Sequence, residues 1–259
     1  MEKLLTIGMA TYDDFDGVFF TTQSLRMHHD ICNSQDVEFI ILDNNPSSPN
    51  GQEVKRYINN ALGNQCKYIE KSDKCSSFNK YSIVDHASGK YVLILDCHIL
   101  LVQNALKYLL DYYANNPDCK DLIQGPLIYD DLINYATEFD AKWSGDMYGV
   151  WHTNKAAHDA GMPFEIKMQG MGLCSFEKKN WPGISQHFKG FGAEEGYIAE
   201  KFRQNGGKNI CIPQLKWMHR FGRPNGVKYP LILEDRIWNY FIGWLEITKD
   251  PNHYMIQDT

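Results

Sequence analysis

Apolar segments alternate with segments of helical period through the first hundred residues, and this alternation restricts the fold more than any other feature. The apolar segments are residues 4–10, 38–43, 65–69 and 91–95, and the helical ones are residues 17–28, 52–62 and 78–87. Near-continuous apolar strands with helical crossovers predict an α/β fold, in which helices flank a mostly parallel central sheet. Ligands of such sheets bind beyond the carboxyl ends of the strands, where Asp43 and Asp96 fall.

Regular patterns return beyond residue 100. They predict helices over residues 104–115, 194–204 and 231–245, and strands over residues 172–176 and 209–212. The last helix has apolar residues at helical spacing, so we expect it to pack against the core rather than bind a ligand. Residues 130–168 have no clear period and suit an insert that faces an acceptor.

The chain shows no linker or repeat, which predicts a single domain over residues 1–259. Within it we expect a nucleotide-binding half over about residues 1–100 and an acceptor and sugar half over about residues 101–230. A C-terminal helix and tail would occupy residues 231–259.

Composition excludes several classes of protein. The seven cysteines are odd in number and form no CxxC pair, which argues against a disulfide framework and a structural zinc site. The net charge of −6 disfavours a general nucleic-acid surface, although a local basic patch could still dock a polyanion. No apolar stretch reaches bilayer length, so we expect a cytoplasmic protein without a membrane partner.

A polar pair stands where the apolar run of residues 91–95 ends. Side chains two apart on a strand point the same way, so Asp96 and His98 can reach one ion while Cys97 faces inward. Such a pair suits a divalent cation held against a diphosphate. The spacing alone is also compatible with an ordinary polar strand end.

Glu194 and Glu195 open a predicted helix directly after a glycine-containing segment. The simplest interpretation is that they complement the helix dipole. Alternatively, one carboxylate binds a sugar hydroxyl and the other accepts a proton. The segment, Gly190-x-Gly192-x-x-x-Gly196, is not a dinucleotide loop, and two carboxylates there would repel a pyrophosphate, which disfavours a Rossmann oxidoreductase.

His219 lies among aromatic and basic residues after the strand predicted at residues 209–212. It is a candidate third metal ligand, although a lone histidine is more often structural. Arg220, Arg223 and Lys228 follow and could offset the phosphate charge of a nucleotide sugar. Glycines in the same segment indicate a loop that could close over a bound donor. The alternative is a solvated basic loop.

Residues after the first two predicted strands could recognise a nucleotide. Thr11 and Tyr12 follow the first strand, and Tyr12 could pack on a base while Asp43 accepts a hydrogen bond from a uracil imide. Lys80, one helix before Asp96, could approach the phosphates or be solvated.

The order of these segments over roughly residues 4–230 resembles the GT-A (Rossmann-like) glycosyltransferases of family 2 and the polypeptide N-acetylgalactosaminyltransferase-like enzymes. In those enzymes an Asp-x-Asp or Asp-x-His motif binds the metal. The matching positions are Thr11, Tyr12, Asp43, the run from Gly89 to His98, Gly170-Met171-Gly172, Glu194-Glu195 and His219. The resemblance implies that Gly172 lines the sugar pocket and that Asp96, His98 and His219 bind Mn²⁺ or Mg²⁺.

The resemblance further implies a metal-dependent glycosyltransferase that moves a hexose or N-acetylhexosamine from a UDP sugar to a hydroxyl acceptor. The Asp-x-His motif is typical of retaining enzymes, whereas Glu195 occupies the position of the base in inverting ones, and we favour inversion. The acceptor could be a glycan, a protein or a hydroxymethylated base in phage DNA, because residues 223–230 resemble phage-encoded relatives, which would work in the host cytoplasm. The alternatives are a metal-dependent phosphodiesterase and a non-catalytic sugar-nucleotide-binding module.

Overall fold

The structure is a computed structural model, and it describes residues 3–72, 76–223 and 226–257. Cys75 and residues 224–225 lie outside the described residues. Residues 224–225 belong to the basic segment, the stretch from Arg220 to Lys228. The strands are β1 (Lys3–Thr11), β2 (Val37–Asp43), β3 (Cys66–Glu70), β4 (Gly89–Asp96), β5 (Ile99–Leu101), β6 (Leu122–Gln124), β7 (Leu127–Ile128), β8 (Tyr135–Ala136), β9 (Glu138–Ser144), β10 (Met147–His152), β11 (Phe164–Glu165), β12 (Leu173–Glu177), β13 (Asn209–Cys211) and β14 (Trp217–His219). The helices are α1 (Phe15–His28), α2 (Pro49–Tyr57), α3 (Ser77–Tyr81), α4 (Ile83–His86), α5 (Ala105–Asn115), α6 (Lys155–Asp159), α7 (Glu194–Gln204), α8 (Leu233–Thr248) and α9 (Tyr254–Gln257).

The main sheet has eight strands in the order β11-β13-β6-β12-β4-β1-β2-β3. β1 runs parallel to β2 and β4, β2 runs parallel to β3, and β6 runs parallel to β13. β12 lies antiparallel between β4 and β6, and β11 is antiparallel to β13. The predicted α/β fold with a mostly parallel central sheet is therefore confirmed.

Helices cover both faces of this sheet, as the near-continuous apolar strands predict. In β2, Phe39 and Ile41 enter the core that α1, α2 and α5 cover. Ile40 and Leu42 alternate with them and enter the core on the opposite face, which contains residues of α4 and α7. All four side chains are inaccessible to solvent, so either face of β2 would be costly to expose.

Two smaller sheets extend the fold beyond the carboxyl ends of the central strands. The order in one of them is β5-β14-β7-β8, and the other is the hairpin β9–β10. Within β5-β14 the register pairs His219 with Ile99, the residue after His98. This pairing brings a late segment of the chain beside the end of β4.

The sequence patterns missed several of these elements. Residues 130–168 contain the hairpin β9–β10 and helix α6 instead of irregular structure, and the segment predicted as one helix over residues 78–87 forms two short helices. Most side chains of β9 and β10 are only partly buried, so neither strand has the alternation that indicates a buried face.

A buried carboxylate joins strands at the end of the sheet opposite the carboxyl ends. Glu38 accepts hydrogen bonds of 2.6 Å from both the Thr6 hydroxyl and the Ser88 amide, and Lys67 lies 3.0 Å from its second oxygen. These contacts lower the pKa of Glu38 to about 2 despite the opposing effect of burial.

Strands that precede residue 100 in the sequence and strands that follow it belong to the same main sheet. The division into a nucleotide-binding half and an acceptor half, with bounds near residues 100 and 230, stays a prediction. No helix in the described part of the chain is long and apolar enough to cross a membrane.

Candidate active site and metal centre

A cavity of about 240 Å³ opens beyond the carboxyl ends of β1, β2 and β4, as expected for this kind of sheet. Its walls come from the strand ends, the start of α7, the hairpin, the basic segment and α8. The lining residues are Ala10, Thr11, Tyr12, Asp14, Asn44, Lys80, Asp96, Cys97, His98, Met147, Met171, Gly172, Phe191, Gly192, Ala193, Glu194, Glu195, Arg223, Tyr229, Arg236 and Tyr240.

The three predicted metal ligands meet at one edge of this cavity. Asp96 ends β4, His98 stands in the following turn, and His219 ends β14. His219 Nε2 lies 3.2 Å from both His98 Nε2 and Asp96 Oδ2. One ligand atom from each residue falls within 4.8 Å of the other two, so a single ion can reach all three.

The chemistry of the cluster fits a divalent cation. Two imidazole nitrogens lie 3.2 Å apart, and a carboxylate oxygen lies beside them. A cation between these three atoms could accept an electron pair from each. Burial lowers the pKa of His98, which favours the neutral form that binds metals. Burial opposes ionisation of Asp96, but the Lys80 ammonium and His219 hold its pKa well below the usual range.

Lys80 is buried beside the metal cluster and is not the solvated helix residue that the sequence left open. Its Nζ donates to Asp96 Oδ1 at 2.7 Å and to the Met171 carbonyl at 2.8 Å. Although burial alone would lower its pKa, the Asp96 carboxylate raises it, so the side chain carries a positive charge. Lys80 therefore adds a fixed cation at the base of the cavity.

Asp14 belongs to the same cluster, and the sequence analysis missed it. It caps α1 by accepting a hydrogen bond from the Gly17 amide at 3.0 Å, and its other oxygen lies 3.1 Å from His98 Nδ1. Arg220 also donates to both carboxylate oxygens, at 2.9 and 3.1 Å. Its position before a helix indicated only a cap, because the contact with His98 spans 84 residues of sequence.

The two arginines of the basic segment occupy different positions. Arg223 lines the cavity, and its guanidinium lies 2.5 Å from His98 Nε2. Arg220 is paired with Asp14 and does not line the cavity. Lys228 forms an ion pair of 2.9 Å with Asp13, so two ion pairs hold this segment against the β1–α1 loop.

Of the residues predicted to bind the nucleotide, some line the cavity and one does not. Thr11 and Tyr12 line the cavity, whereas Asp43 is fully buried and does not. Its carboxylate accepts hydrogen bonds from Tyr68 Oη at 2.7 Å and from the Asn45 amide at 2.9 Å. Asn44, which the sequence analysis did not single out, lines the cavity next to Asp43.

Glu194 and Glu195 line the wall of the cavity formed by the start of α7. The chain reaches them through positive φ angles at Gly190 (50°), Gly192 (101°) and Ala193 (73°), a left-handed path that explains the glycines. Glu194 Oε2 is buried without a hydrogen-bond partner among the described residues. Burial, with the Glu194 carboxylate beside it, raises the pKa of Glu195 to about 8.

Gly172 fits only because it has no side chain. A Cβ atom there would lie 2.7 Å from Trp217 Cη2 and 3.3 Å from Asp96 Oδ2. Its carbonyl also accepts a hydrogen bond of 2.9 Å from the Asp96 amide. The residue therefore keeps β12 close to the candidate metal ligand, and it lines the cavity.

The C-terminal helix packs against the core as predicted, and it also lines the cavity. Arg236 and Tyr240 of α8 line the cavity together with Met147 of β10. Arg236 pairs with Asp146 at 2.6 Å, and Tyr240 Oη accepts a hydrogen bond from the Tyr148 amide at 2.8 Å. Helical periodicity could not reveal this role, because it depends on the unpredicted hairpin.

This fold is the GT-A fold, which the family 2 glycosyltransferases share. The chain belongs to glycosyl transferase family 2, whose model matches residues 6–139, just over half of the sequence. The matched segment contains Asp96 and His98, while His219 and the two glutamates lie beyond it. No curated protein matches the chain.

Solved structures share the fold at low sequence identity. A structure of GalNAc-T7 with UDP, GalNAc and Mn²⁺ superposes with a TM-score of 0.73 at 15% identity, over 94% of this chain and 48% of that one. The mannosyltransferase PcManGT from Pyrobaculum calidifontis, with GDP-Man and Mn²⁺, gives 0.60 at 14% identity, over 96% and 65%. S. aureus TarS (residues 1–349) with UDP-GlcNAc gives 0.58 at 11% identity, over 98% and 71%. The chain thus spans about half the length of the GalNAc-T7 chain.

Proposed function

We propose that this protein is a metal-dependent glycosyltransferase that moves a hexose or N-acetylhexosamine from a UDP sugar to a hydroxyl acceptor. The observation that carries the proposal is the convergence of Asp96, His98 and His219 at the edge of a cavity that also contains Glu195. A cation stabilises the departing diphosphate, and a base takes the proton of the attacking hydroxyl. One cavity here contains a candidate for each role.

Mn²⁺ is the metal that the ligands favour. Two imidazole nitrogens and one carboxylate suit Mn²⁺ better than Mg²⁺, which prefers oxygen ligands and retains its water. The GalNAc-T7 and PcManGT structures contain Mn²⁺, which supports the choice. When bound, the ion would neutralise the charge that develops on the departing diphosphate.

The donor would lie with its base near Tyr12 and Asn44 and its phosphates near Arg223. Asp43 is fully buried and does not line the cavity, so the proposal assigns direct contact with the base to Tyr12 and Asn44. Lys80 is already bound to Asp96 and would act on the phosphates through its charge. The uridine nucleotides in the GalNAc-T7 and TarS structures support a UDP sugar.

Glu195 is the proposed base for an inverting transfer. The acceptor oxygen would attack the anomeric carbon, the bond from that carbon to the diphosphate oxygen would break, and the acceptor proton would pass to Glu195. The raised pKa of Glu195 makes its ionised form a stronger base. Glu194, with a buried oxygen that has no partner among the described residues, would hydrogen-bond a sugar hydroxyl.

The acceptor would enter beside Met147, Arg236 and Tyr240. We retain the three acceptor classes that the sequence suggests: a glycan, a protein side chain and a hydroxymethylated DNA base. A net charge of −6 counts against DNA unless the basic residues near the cavity dock the strand.

Mass spectrometry of incubations with several donors tests the proposal. UDP-glucose, UDP-GlcNAc and GDP-mannose would be supplied with Mn²⁺ or with a chelator, alongside a panel of the three acceptor classes. We expect Mn²⁺-dependent transfer, or slow hydrolysis that leaves UDP intact. Release of UMP would instead establish the phosphodiesterase alternative, and donor binding without turnover on any acceptor would establish the binding module.

A further inference from the structure

We propose that Asp14 is a positioning residue that fixes the ring of His98 for metal binding, an inference that rests on the proposed metal-dependent function. The carboxylate is mostly buried, with 17% of the side chain exposed, and it lies behind the His98 ring on the side away from His219. It would therefore act through His98 and need not touch the ion.

The contact determines which nitrogen of His98 carries the ring proton. An ionised carboxylate only accepts hydrogen bonds, so the 3.1 Å contact with Asp14 Oδ2 places the ring proton on Nδ1. Nε2 then presents its lone pair toward His219 Nε2, 3.2 Å away. A carboxylate behind a ligating imidazole is a recurring means of orienting the ring and raising its basicity.

Helix α1 holds this arrangement rigid. Asp14 Oδ1 is fixed by the Gly17 amide at 3.0 Å, so Oδ2 cannot turn away without loss of the helix cap. One turn further along, the Thr21 hydroxyl donates to the Ile99 carbonyl at 2.8 Å and accepts from the Ile99 amide at 3.1 Å. The helix thus binds the backbone just after His98 as well as its ring.

Asp14 also contacts the segment that carries the third ligand. Arg220, which donates to both Asp14 oxygens, directly follows His219, and its amide donates to the His98 carbonyl at 3.1 Å. His219 Nδ1 is buried without a partner among the described residues, so a carboxylate orients only one of the two imidazoles. Replacing Asp14 should accordingly weaken the metal site through both ligand segments.

Asp14→Asn tests this role with little change in shape. Asparagine is a good helix cap, so the variant can keep its bond to the Gly17 amide. The amide group would then face His98 and donate to Nδ1, which moves the ring proton to Nε2 and blocks that ligand. Asp13→Asn is the matched control, because Asp13 is the adjacent acid, pairs with Lys228 and tolerates asparagine at its φ of 53°.

The primary measurement is Mn²⁺ affinity, obtained from the electron paramagnetic resonance signal of free Mn²⁺ with and without UDP, together with thermal unfolding. For Asp14→Asn we expect affinity about 10- to 100-fold below that of the parent protein. Asp13→Asn should stay within about threefold of the parent, since Asp13 pairs with an exposed lysine and contacts none of the three candidate metal ligands. Asp14→Ser, which also caps a helix, replaces the asparagine variant if the latter unfolds.

The outcomes separate this inference from the proposed function. If the parent protein binds no Mn²⁺ even with UDP present, both the positioning role of Asp14 and the proposed metal-dependent function are overturned. Normal binding by the parent and by Asp14→Asn would overturn the positioning role alone. Asp14, Cys97 and His98 Nδ1 also lie close enough to share an ion. Loss of Mn²⁺ binding in Cys97→Ser would show that the ion takes that site, with Asp14 as a ligand, and would likewise overturn the inference.

Discussion

Buried Lys80 and part-buried Asp96 form an ion pair with 2.7 Å between Nζ and Oδ1, while Asp96 Oδ2 lies 3.2 Å from His219 Nε2. One oxygen of the Asp96 carboxylate therefore binds Lys80, and the other faces the candidate metal position. Lys80 keeps one oxygen occupied and directs the other toward the two imidazoles. The pair also stabilises the fold, because only 7% of the lysine side chain is exposed.

Lys80→Met should lower the free energy of unfolding by about 2 kcal/mol, because the Asp96 carboxylate, whose side chain is 31% exposed, loses its cationic partner. Urea unfolding monitored by circular dichroism measures the loss. Lys55→Met is the control, since it breaks an ion pair of similar length whose side chains are 47% and 46% exposed, and should cost less than about 1 kcal/mol. Equal losses in the two variants would contradict the assignment.

His98→Ala and His219→Ala should each reduce Mn²⁺-dependent donor turnover by at least about 100-fold, because a ligand contributes more than the groups that orient it. Release of UDP from the preferred donor provides the assay. Both variants should keep the circular dichroism spectrum of the parent, and His86→Ala, which changes an exposed histidine at the end of α4, should keep its turnover. Retained activity in both variants would show that these histidines do not form the metal site.

Glu195→Gln should reduce transfer by about 10²- to 10⁴-fold, the usual contribution of a general base, while the dissociation constant of the donor changes little. Calorimetry beside a turnover assay separates the two effects. Glu200→Gln, on the same helix and paired with Arg203, is the control. Loss of donor binding in step with transfer would assign Glu195 to the donor site.

The pH dependence follows from the pKa of Glu195, which is raised from 4.5 to about 8. The carboxyl is protonated below that value and cannot accept a proton, so kcat/KM should rise roughly tenfold per pH unit up to about 8 and then level off. A profile that is flat between pH 6 and 9 would argue against this base.

Glu38→Gln should destabilise the protein by about 2 kcal/mol near neutral pH, since the charged acceptor of three contacts is lost and Glu38 itself is buried. The folded pKa of about 2 lies below the ordinary 4.5, so this stabilisation is complete above about 4.5 and disappears as the pH falls through 2. Urea unfolding at several pH values should show the difference from the parent shrinking toward low pH. Glu53→Gln, in an exposed pair with Arg56, should show no comparable trend.

Local patterns in the sequence predicted most of the fold. The apolar runs located β1, β2 and β4, and the glycine pair after Gln204 allowed the end of α7 to be placed where the structure has it. The hairpin β9–β10 was missed because partial burial on both faces leaves no alternation. The three-residue strand β14 is too short for any period.

The candidate site was less accessible to sequence reasoning because its contacts are long-range. Chain order could nominate His219, but only the pairing of β14 with β5 shows how it reaches His98. No motif in the sequence marks Asp14 or Arg236, and only the tertiary structure places them on the cavity. The burial of Asp43 likewise depends on its contact with Tyr68 of β3.

The contact between Arg223 and His98 has a consequence for how the enzyme starts a cycle. Arg223 donates to His98 Nε2, so its guanidinium and a cation would compete for the same electron pair. The negative charge of a nucleotide would offer the guanidinium another partner. A cation and a nucleotide should therefore favour each other's binding in this cavity.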